Sequence, residues 1–130
     1  MKYCFGVDIG GTTVKMGLLE ESGAILDKWE ITTDTSDEGS AILPNIAASI
    51  ETKIEEHGLD KADIIGIGAG VPAPVTSEGI VNGSANLGWN YKEVKKELEE
   101  LTGLKAEIGN DANVAARGEM WKGGGAGEKN

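Results

Sequence analysis

A glycine turn near the start of the chain has the residue types needed to bind a phosphate group. From Asp8 onwards the sequence reads D-I-G-G-T-T-V-K. Two consecutive glycines permit a turn with positive φ and leave no Cβ to obstruct a ligand. The backbone N–H groups and hydroxyls expected to face phosphate oxygens belong to Gly10, Gly11, Thr12 and Thr13. Asp8 is expected to hold Mg²⁺ through water, because magnesium prefers carboxylate oxygens and keeps much of its hydration.

An ordinary Gly-Gly hairpin turn is the alternative interpretation of this segment. The aspartate, the two threonines and the positive charge of Lys15 on the following strand favour phosphate binding instead. The sequence contains no G-x-x-x-x-G-K-[ST], so it has no P-loop. The glycines that alternate from Gly66 to Gly70 precede Val71 and Pro72, where a dinucleotide-binding fold needs a third glycine and the start of a helix. They are therefore interpreted as part of a strand.

A second group of polar residues, Asn110 and Asp111, lies where a strand is expected to end and a helix to begin. One interpretation is helix capping, which Asp and Asn favour at that position. The functional interpretation is that Asp111 is a general base, which accepts the proton of an attacking hydroxyl during phosphoryl transfer. Asn110 would then exchange hydrogen bonds with neighbouring hydroxyls. The two interpretations are compatible with each other.

The elements that must position these residues follow from the pattern of apolar residues. Three strands joined by tight, glycine-containing connections are expected over residues 3–8, 13–19 and 24–32, which is typical of an antiparallel meander. Later strands are expected over 64–71 and 105–109, and they alternate with helices, the last of which is expected over 112–121. This order predicts an α/β, ribonuclease-H-like mixed sheet of the actin, hexokinase and Hsp70 type, a β-meander followed by α-linked strands, with helices on its faces.

Two of the expected helices have readable faces and ends. The apolar stripe of the first repeats every four residues and comprises Ile42, Ile46, Ile50 and Ile54. At its start, Thr35 and Glu38 have capping-box spacing, and Ser40 is an equally suitable N-cap. At its end, His57 and Gly58 are expected to close the helix, with the imidazole near the last carbonyls. The inner face of the second helix is expected to comprise Tyr91, Val94, Leu98 and Leu101. Its outer face is expected to be solvated and to carry the pairs Lys95–Glu99 and Lys96–Glu100.

Composition limits the classes of partner and compartment. The 130 residues carry a net charge of −10, which argues against a general nucleic-acid surface, since such surfaces cluster Lys and Arg. A single triphosphate remains possible, because a local Mg²⁺ and a few N–H groups suffice to hold it. No apolar run approaches the roughly 20 residues needed to span a bilayer. No secretory signal is recognised, so a cytoplasmic protein is expected. The single cysteine, Cys4, is interpreted as a buried strand thiol.

Several segments resemble one family of sugar kinases. The turn from Asp8 to Lys15 resembles the first phosphate loop of the sugar kinase, Hsp70 and actin superfamily, and its D-x-G-G-T-x-x-K form resembles that of the ROK branch. Residues 110–119, N-D-A-N-V-A-A-R-G-E, resemble the ROK segment that bears the catalytic aspartate. Residues 86–89, N-L-G-W, resemble the sugar-proximal loop of ROK glucokinases. Residues 70–75 resemble a further family loop, in which glycine more often stands at the position of Ala73.

The resemblance implies an ATP-dependent hexose kinase, with glucose as the favoured substrate. It implies that Asp111 is the catalytic base and that Asn86, Asn110 and Asp111 bind the sugar. The residues implied to bind ATP are Asp8, Gly10, Gly11, Thr12, Thr13 and Lys15, with Mg²⁺ at Asp8. Residues 1–122 are expected to form the N-terminal domain, and the glycine-rich residues 123–130 to lead into an absent C-terminal domain. That absent domain would carry the structural Zn²⁺ site, and the chain alone is expected to be inactive. The full-length protein is expected to be a homo-oligomer, with no nucleic-acid or membrane partner.

Three alternatives remain open. A non-catalytic ROK-type regulator could retain the sugar pocket without phosphoryl transfer, although no DNA-binding helix-turn-helix precedes the first expected strand. A kinase for another sugar, such as N-acetylmannosamine, would share the same scaffold. An actin-like or chaperone ATPase is disfavoured by the segments that resemble sugar-binding loops.

Overall fold

The structure is a computed structural model, and it describes residues 2–109. Asn110 and Asp111 lie outside the described residues, as do the helix expected over 112–121 and the glycine-rich segment 123–130. The predictions made for them therefore stay predictions.

A five-stranded mixed sheet forms the centre of the described part. Its strands are β1 (Tyr3–Ile9), β2 (Thr13–Glu20), β3 (Ile25–Thr32), β4 (Ile64–Gly70) and β7 (Ala106–Gly109), in the spatial order β3-β2-β1-β4-β7. The first three strands pair antiparallel, and β4 pairs parallel with both β1 and β7. This confirms the predicted meander followed by α-linked strands. Two short strands, β5 (Ile80–Val81) and β6 (Lys92–Glu93), pair antiparallel in a separate small sheet.

The first long helix, α2 (Ile42–Glu56), buries the predicted isoleucine stripe. Its predicted start is wrong. The N-cap is Ala41 and makes no side-chain cap hydrogen bond, while the preceding turn α1 (Ser36–Gly39) contains Asp37 and Glu38 with positive φ. The Ser40 hydroxyl donates to the Asp37 carboxylate at 2.9 Å instead of capping the helix. The predicted end is confirmed, because Gly58 follows His57 with φ of +64°.

The His57 imidazole was expected near the last carbonyls of α2, and this is wrong: it pairs with a side chain of the sheet instead. Its Nε2 is 3.0 Å from the Asp27 carboxylate of β3. Lys53 contacts the same carboxylate at 3.0 Å, and its ammonium lies 4.8 Å from the centroid of the Trp29 ring. The Trp29 Nε1 also donates to Ser49 at 2.7 Å. These contacts join the edge strand β3 to α2. The position of the imidazole is therefore set by Asp27 on β3 and not by the end of its own helix.

The second long helix, α3 (Val94–Thr102), begins later than its expected apolar face. Val94 and Leu98 are buried, but Tyr91 precedes the helix and is 59% exposed, and Leu101 is 44% exposed. Thr102 is buried instead, with its hydroxyl donating to the Leu98 carbonyl at 2.7 Å. Gly103 ends the helix with φ of +74°.

The charged face of α3 is not the uniformly solvated surface that was predicted. Lys95 and Glu99 form the expected pair at 3.0 Å, and both also bind the backbone of Ala106 at the start of β7. Lys96 pairs with Glu93 at 3.9 Å rather than with Glu100. The pair Lys95–Glu99 therefore connects the helix to the sheet.

One apolar core joins the sheet to the two long helices. It includes Phe5 of β1, Ile50 of α2, Ile67 of β4 and Leu98 of α3, and all four are completely buried. Cys4 is buried, as predicted. Among the described helices, none is long and apolar enough to cross a membrane.

Candidate functional site

The glycine turn joins β1 to β2, and close contacts rather than unusual dihedral angles explain its glycines. Neither Gly10 nor Gly11 has positive φ, so that part of the prediction is wrong. A Cβ on Gly10 would lie 2.9 Å from the Thr13 carbonyl oxygen, which accepts the Gly10 N–H at 3.0 Å. A Cβ on Gly11 would lie 3.2 Å from the carbonyl oxygen of Asn86. The second contact brings the loop predicted to bind the sugar against the turn predicted to bind phosphate.

The turn presents hydrogen-bond donors to solvent. Gly11 and Thr12 are exposed, and neither backbone N–H finds an acceptor within the described residues. The carbonyls, in contrast, are bound: the Thr33 hydroxyl donates to the Gly10 carbonyl at 2.7 Å, and the Thr33 N–H donates to the Thr12 carbonyl at 2.9 Å. Free N–H groups beside bound carbonyls make a local positive potential that suits an anion.

Thr33 is a residue that the sequence analysis missed. It is 8% exposed and follows the last residue of β3, where Thr32 pairs with Thr13. The predicted meander already placed the end of β3 beside the start of β2. A search for hydroxyl residues at that strand end would have identified Thr33 as a neighbour of the turn.

Asp8 and Lys15 face each other across the antiparallel pair β1–β2. Asp8 is partly buried and Lys15 is exposed, and neither side chain makes a hydrogen bond or an ion pair within residues 2–109. The Asp8 carboxylate therefore keeps its acceptor capacity, as a water-mediated magnesium contact requires. A cation at Asp8 with donors in the adjacent turn could hold a polyphosphate.

Some residues of the loop 84–89 are buried against the core, and others are exposed. Leu87 and Trp89 are buried, and the Trp89 Nε1 donates to the Gly39 carbonyl at 3.1 Å. Gly88 is half-buried, so within residues 86–89 only Asn86 is an exposed polar side chain. The loop therefore presents Asn86 beside Gly11, while Trp89 anchors it to α1.

The carboxyl ends of three parallel strands meet at one edge of the sheet. Asp8 of β1 pairs with Gly70 of β4, and Gly70 pairs with Gly109 of β7. Two strand spacings separate Asp8 from Gly109, about 10 Å. Ligands of such sheets commonly bind outside the carboxyl ends of the strands. Asn110 and Asp111 come next in the sequence after Gly109, but they lie outside the described residues.

A shallow groove lies beside the loop that follows β4. Its volume is about 320 Å³, and Pro74, Val75, Thr76, Asn82 and Gly83 line it. Ala73, which stands where the resembling family more often has glycine, is half-buried and packs against the core. The effect of that alanine on a sugar pocket stays a prediction.

One cluster of potential metal ligands occurs elsewhere in the described residues, and its charges are already balanced. Oxygen and nitrogen atoms of Asp27, Glu56 and His57 lie within 4.8 Å of one another. The Lys53 ammonium is 3.0 Å from Asp27 and 3.2 Å from Glu56. Hydrogen bonds from His57 and Lys53 lower the pKa of Asp27. Because a lysine already occupies the position of a cation, we assign this cluster a structural role.

Comparison with known proteins identifies relatives over nearly the whole chain. The ROK family profile matches residues 4–130. A glucokinase from Halalkalibacterium halodurans is 45% identical over 130 residues, which cover 99% of this chain and 39% of that protein. The crystal structure of a ROK family glucokinase from Streptomyces griseus in complex with glucose and AMPPNP superposes with a TM-score of 0.73 at 33% identity, over 96% of this chain and 38% of that one.

More distant relatives have other names. A proposed xylose repressor from Caldicellulosiruptor is 31% identical, and an N-acetylgalactosamine kinase from Shewanella is 30% identical. This chain spans about two fifths of the length of the glucokinases that it matches. The mixed sheet is that of the ROK hexokinase structures, which confirms the predicted fold class. Since the profile covers 127 of the 130 residues, the chain belongs to the ROK family.

Proposed function

We propose that this chain forms part of an ATP-dependent hexose kinase that phosphorylates glucose. One observation carries the proposal: the glycine turn with its free N–H groups is in contact with the loop that presents Asn86. A phosphate-binding element and a polar loop suited to sugar hydroxyls are thus adjacent. The names of the glucokinase relatives support glucose as the substrate.

The roles of the residues follow from their positions. The free N–H groups of Gly11 and Thr12 and the hydroxyls of Thr12 and Thr13 bind phosphate oxygens of ATP, and Lys15 adds charge. The N–H of Gly10 closes the turn on the Thr13 carbonyl. Asp8 holds hydrated Mg²⁺, which would neutralise charge on the phosphates. Asn86 and Asn110 hydrogen-bond sugar hydroxyls.

The chemical step is an in-line transfer. Asp111 accepts the proton of the attacking sugar hydroxyl while its oxygen forms a bond to the γ-phosphorus. The bond from that phosphorus to the β–γ bridging oxygen breaks, and ADP leaves. Because about 10 Å separates the Asp8 and Gly109 strand ends, a γ-phosphoryl group has room between a metal at Asp8 and a base that follows Gly109.

A chimera tests the proposal. Residues 1–130 replace the matching segment of the H. halodurans glucokinase, and glucose phosphorylation is followed by an assay coupled to ADP release. Asp111→Asn should lower kcat by about 10²- to 10⁴-fold, the usual contribution of general base catalysis. Glucose binding, measured by calorimetry, should persist. Asp63→Asn is the matched control. Asp63 directly precedes β4, at the end of that strand away from Gly70 and the proposed site. Near-normal kcat in the Asp111 variant would exclude it as the base.

The second candidate is a sugar-sensing regulator, which the similarity to a proposed xylose repressor favours. A regulator would bind glucose or another sugar in the same chimera with no ADP release above background. The same ADP-release assay with N-acetylmannosamine and N-acetylgalactosamine in place of glucose tests the third candidate, a kinase for another sugar.

A further inference from the structure

We propose that Thr33 is a positioning residue that orients the glycine turn for phosphate. Thr33 contacts no ligand in this scheme and acts through the turn. The inference rests on the proposed role of the turn in binding ATP, and it assigns a part in that site to the residue that follows β3.

Thr33 makes both of its contacts with the carbonyl side of the turn. Its hydroxyl donates to the Gly10 carbonyl at 2.7 Å, and its N–H donates to the Thr12 carbonyl at 2.9 Å. In a trans peptide the C=O of one residue and the N–H of the next point in opposite directions. Fixing the Gly10 carbonyl on Thr33 therefore turns the Gly11 N–H away from Thr33. This N–H has no acceptor within the described residues.

The turn needs such a restraint because of its own composition. Two adjacent glycines can adopt many backbone conformations, and each must be restricted before the N–H groups can converge on an anion. The hydrogen bond from the Gly10 N–H to the Thr13 carbonyl closes the turn, but it uses the Ile9–Gly10 peptide and makes no direct contact with the Gly10–Gly11 peptide. Thr33 is 8% exposed and its hydrogen bond to the Gly10 carbonyl is partly buried, so water competes less for this bond than for an exposed one.

The segment that begins with Thr33 also reaches the sugar-side loop. Six residues later the Gly39 carbonyl accepts the Trp89 Nε1 at 3.1 Å. Residues 33–39 thus contact the glycine turn at one end and the loop carrying Asn86 at the other. Within this segment, Thr33 is the residue that contacts the glycine turn.

Titration of the ¹⁵N-labelled 130-residue chain with inorganic tripolyphosphate and Mg²⁺, followed by amide NMR, tests the proposal. In the natural sequence the amide signals of Gly11 and Thr12 should shift. Thr33→Val should weaken binding by about 5- to 10-fold, the effect of losing one hydrogen bond that holds the turn. Thr33→Ser keeps the hydroxyl and should restore binding. Thr33→Ala is measured beside Thr33→Val, because it sets no methyl group against the Gly10 carbonyl.

Thr102→Val is the matched control. It also removes a buried threonine hydroxyl that donates to a carbonyl at 2.7 Å, but within α3. It should leave the affinity unchanged, even if the chain is less stable. Equal affinity of the natural chain and both hydroxyl-free Thr33 variants would overturn the positioning role alone, as would equal weakening by Thr102→Val. Absence of shifts at Gly11 and Thr12 in the natural chain would overturn the phosphate role of the turn as well.

Discussion

Replacing Gly39 by alanine should be among the more damaging single-methyl changes in the described part of the chain. Gly39 has φ of +70°, a conformation that costs other residues about 1–2 kcal/mol. The new Cβ would overlap the Leu87 carbonyl oxygen and lie 2.7 Å from the Trp89 indole nitrogen. Both neighbours are buried, so overpacking adds about 1–3 kcal/mol. We expect the free energy of unfolding to fall by about 2–5 kcal/mol in total.

Gly58→Ala provides the matched control. Gly58 has nearly the same φ, +64°, but a Cβ there would meet no atom within 4 Å. It should therefore cost only the backbone term, about 1–2 kcal/mol. Urea denaturation of the 130-residue variants, followed by far-UV circular dichroism, measures the difference. Equal losses at the two glycines would refute the argument that the loop 84–89 packs directly on Gly39.

Three further predictions concern the contacts around this core. Trp89→Phe removes the hydrogen bond to the Gly39 carbonyl and should lower the free energy of unfolding by about 1–2 kcal/mol in urea titrations; an unchanged midpoint would show that the bond does not form. Hydrogen bonds from His57 and Lys53 lower the pKa of Asp27 in the folded chain below its ordinary value of 3.8. The ionised carboxylate therefore stabilises the fold at pH values above 3.8, and this contribution is lost as the pH falls through the lowered pKa. Urea midpoints should therefore fall on acidification more steeply in the natural chain than in Asp27→Asn, and parallel curves would contradict this. Burial raises the pKa of Glu99, but bonds from the Ala106 N–H and from Lys95 outweigh it and lower the net pKa. Glu99→Gln should cost about 1 kcal/mol while the exposed Glu100→Gln costs nearly nothing, and equal thermal midpoints would remove the proposed link between α3 and the sheet.

Sequence reasoning predicted the features that depend on local periodicity. The isoleucine stripe beginning at Ile42 specifies one face of α2, and the short apolar runs specify the meander, because neither requires knowledge of distant residues. The errors concern side chains whose position depends on another element. The imidazole of His57 was assigned to its own helix, but Asp27 on β3 attracts it. Tyr91 was counted in the helix because its apolar spacing fits, but the chain there enters β6 first.

The candidate site shows the same division. The glycine turn was selected from its residue types, and its role in binding phosphate stays a prediction. The contact that favours glycine at position 11 was not predicted, because it is made with the carbonyl of Asn86, 75 positions away. Thr33 was missed because its hydroxyl matters only once β3 lies beside the turn. The roles of Asn110 and Asp111 rest on their sequence alone.

The contact between Gly11 and Asn86 links the two halves of the proposed reaction through the backbone. A turn that binds phosphate and a loop that binds sugar must keep a fixed separation, because phosphoryl transfer requires the reacting atoms to be held about 3–3.5 Å apart. Side chains could set that separation, but they would add rotational freedom at the reacting centre. Here a glycine without Cβ lets one backbone segment rest directly on the other. Thr33 on one side and Trp89 on the other then hold each segment to residues 33–39. In the proposed kinase site, the packed backbone would therefore set the spacing between phosphate and sugar, and the exposed polar groups would supply the chemistry.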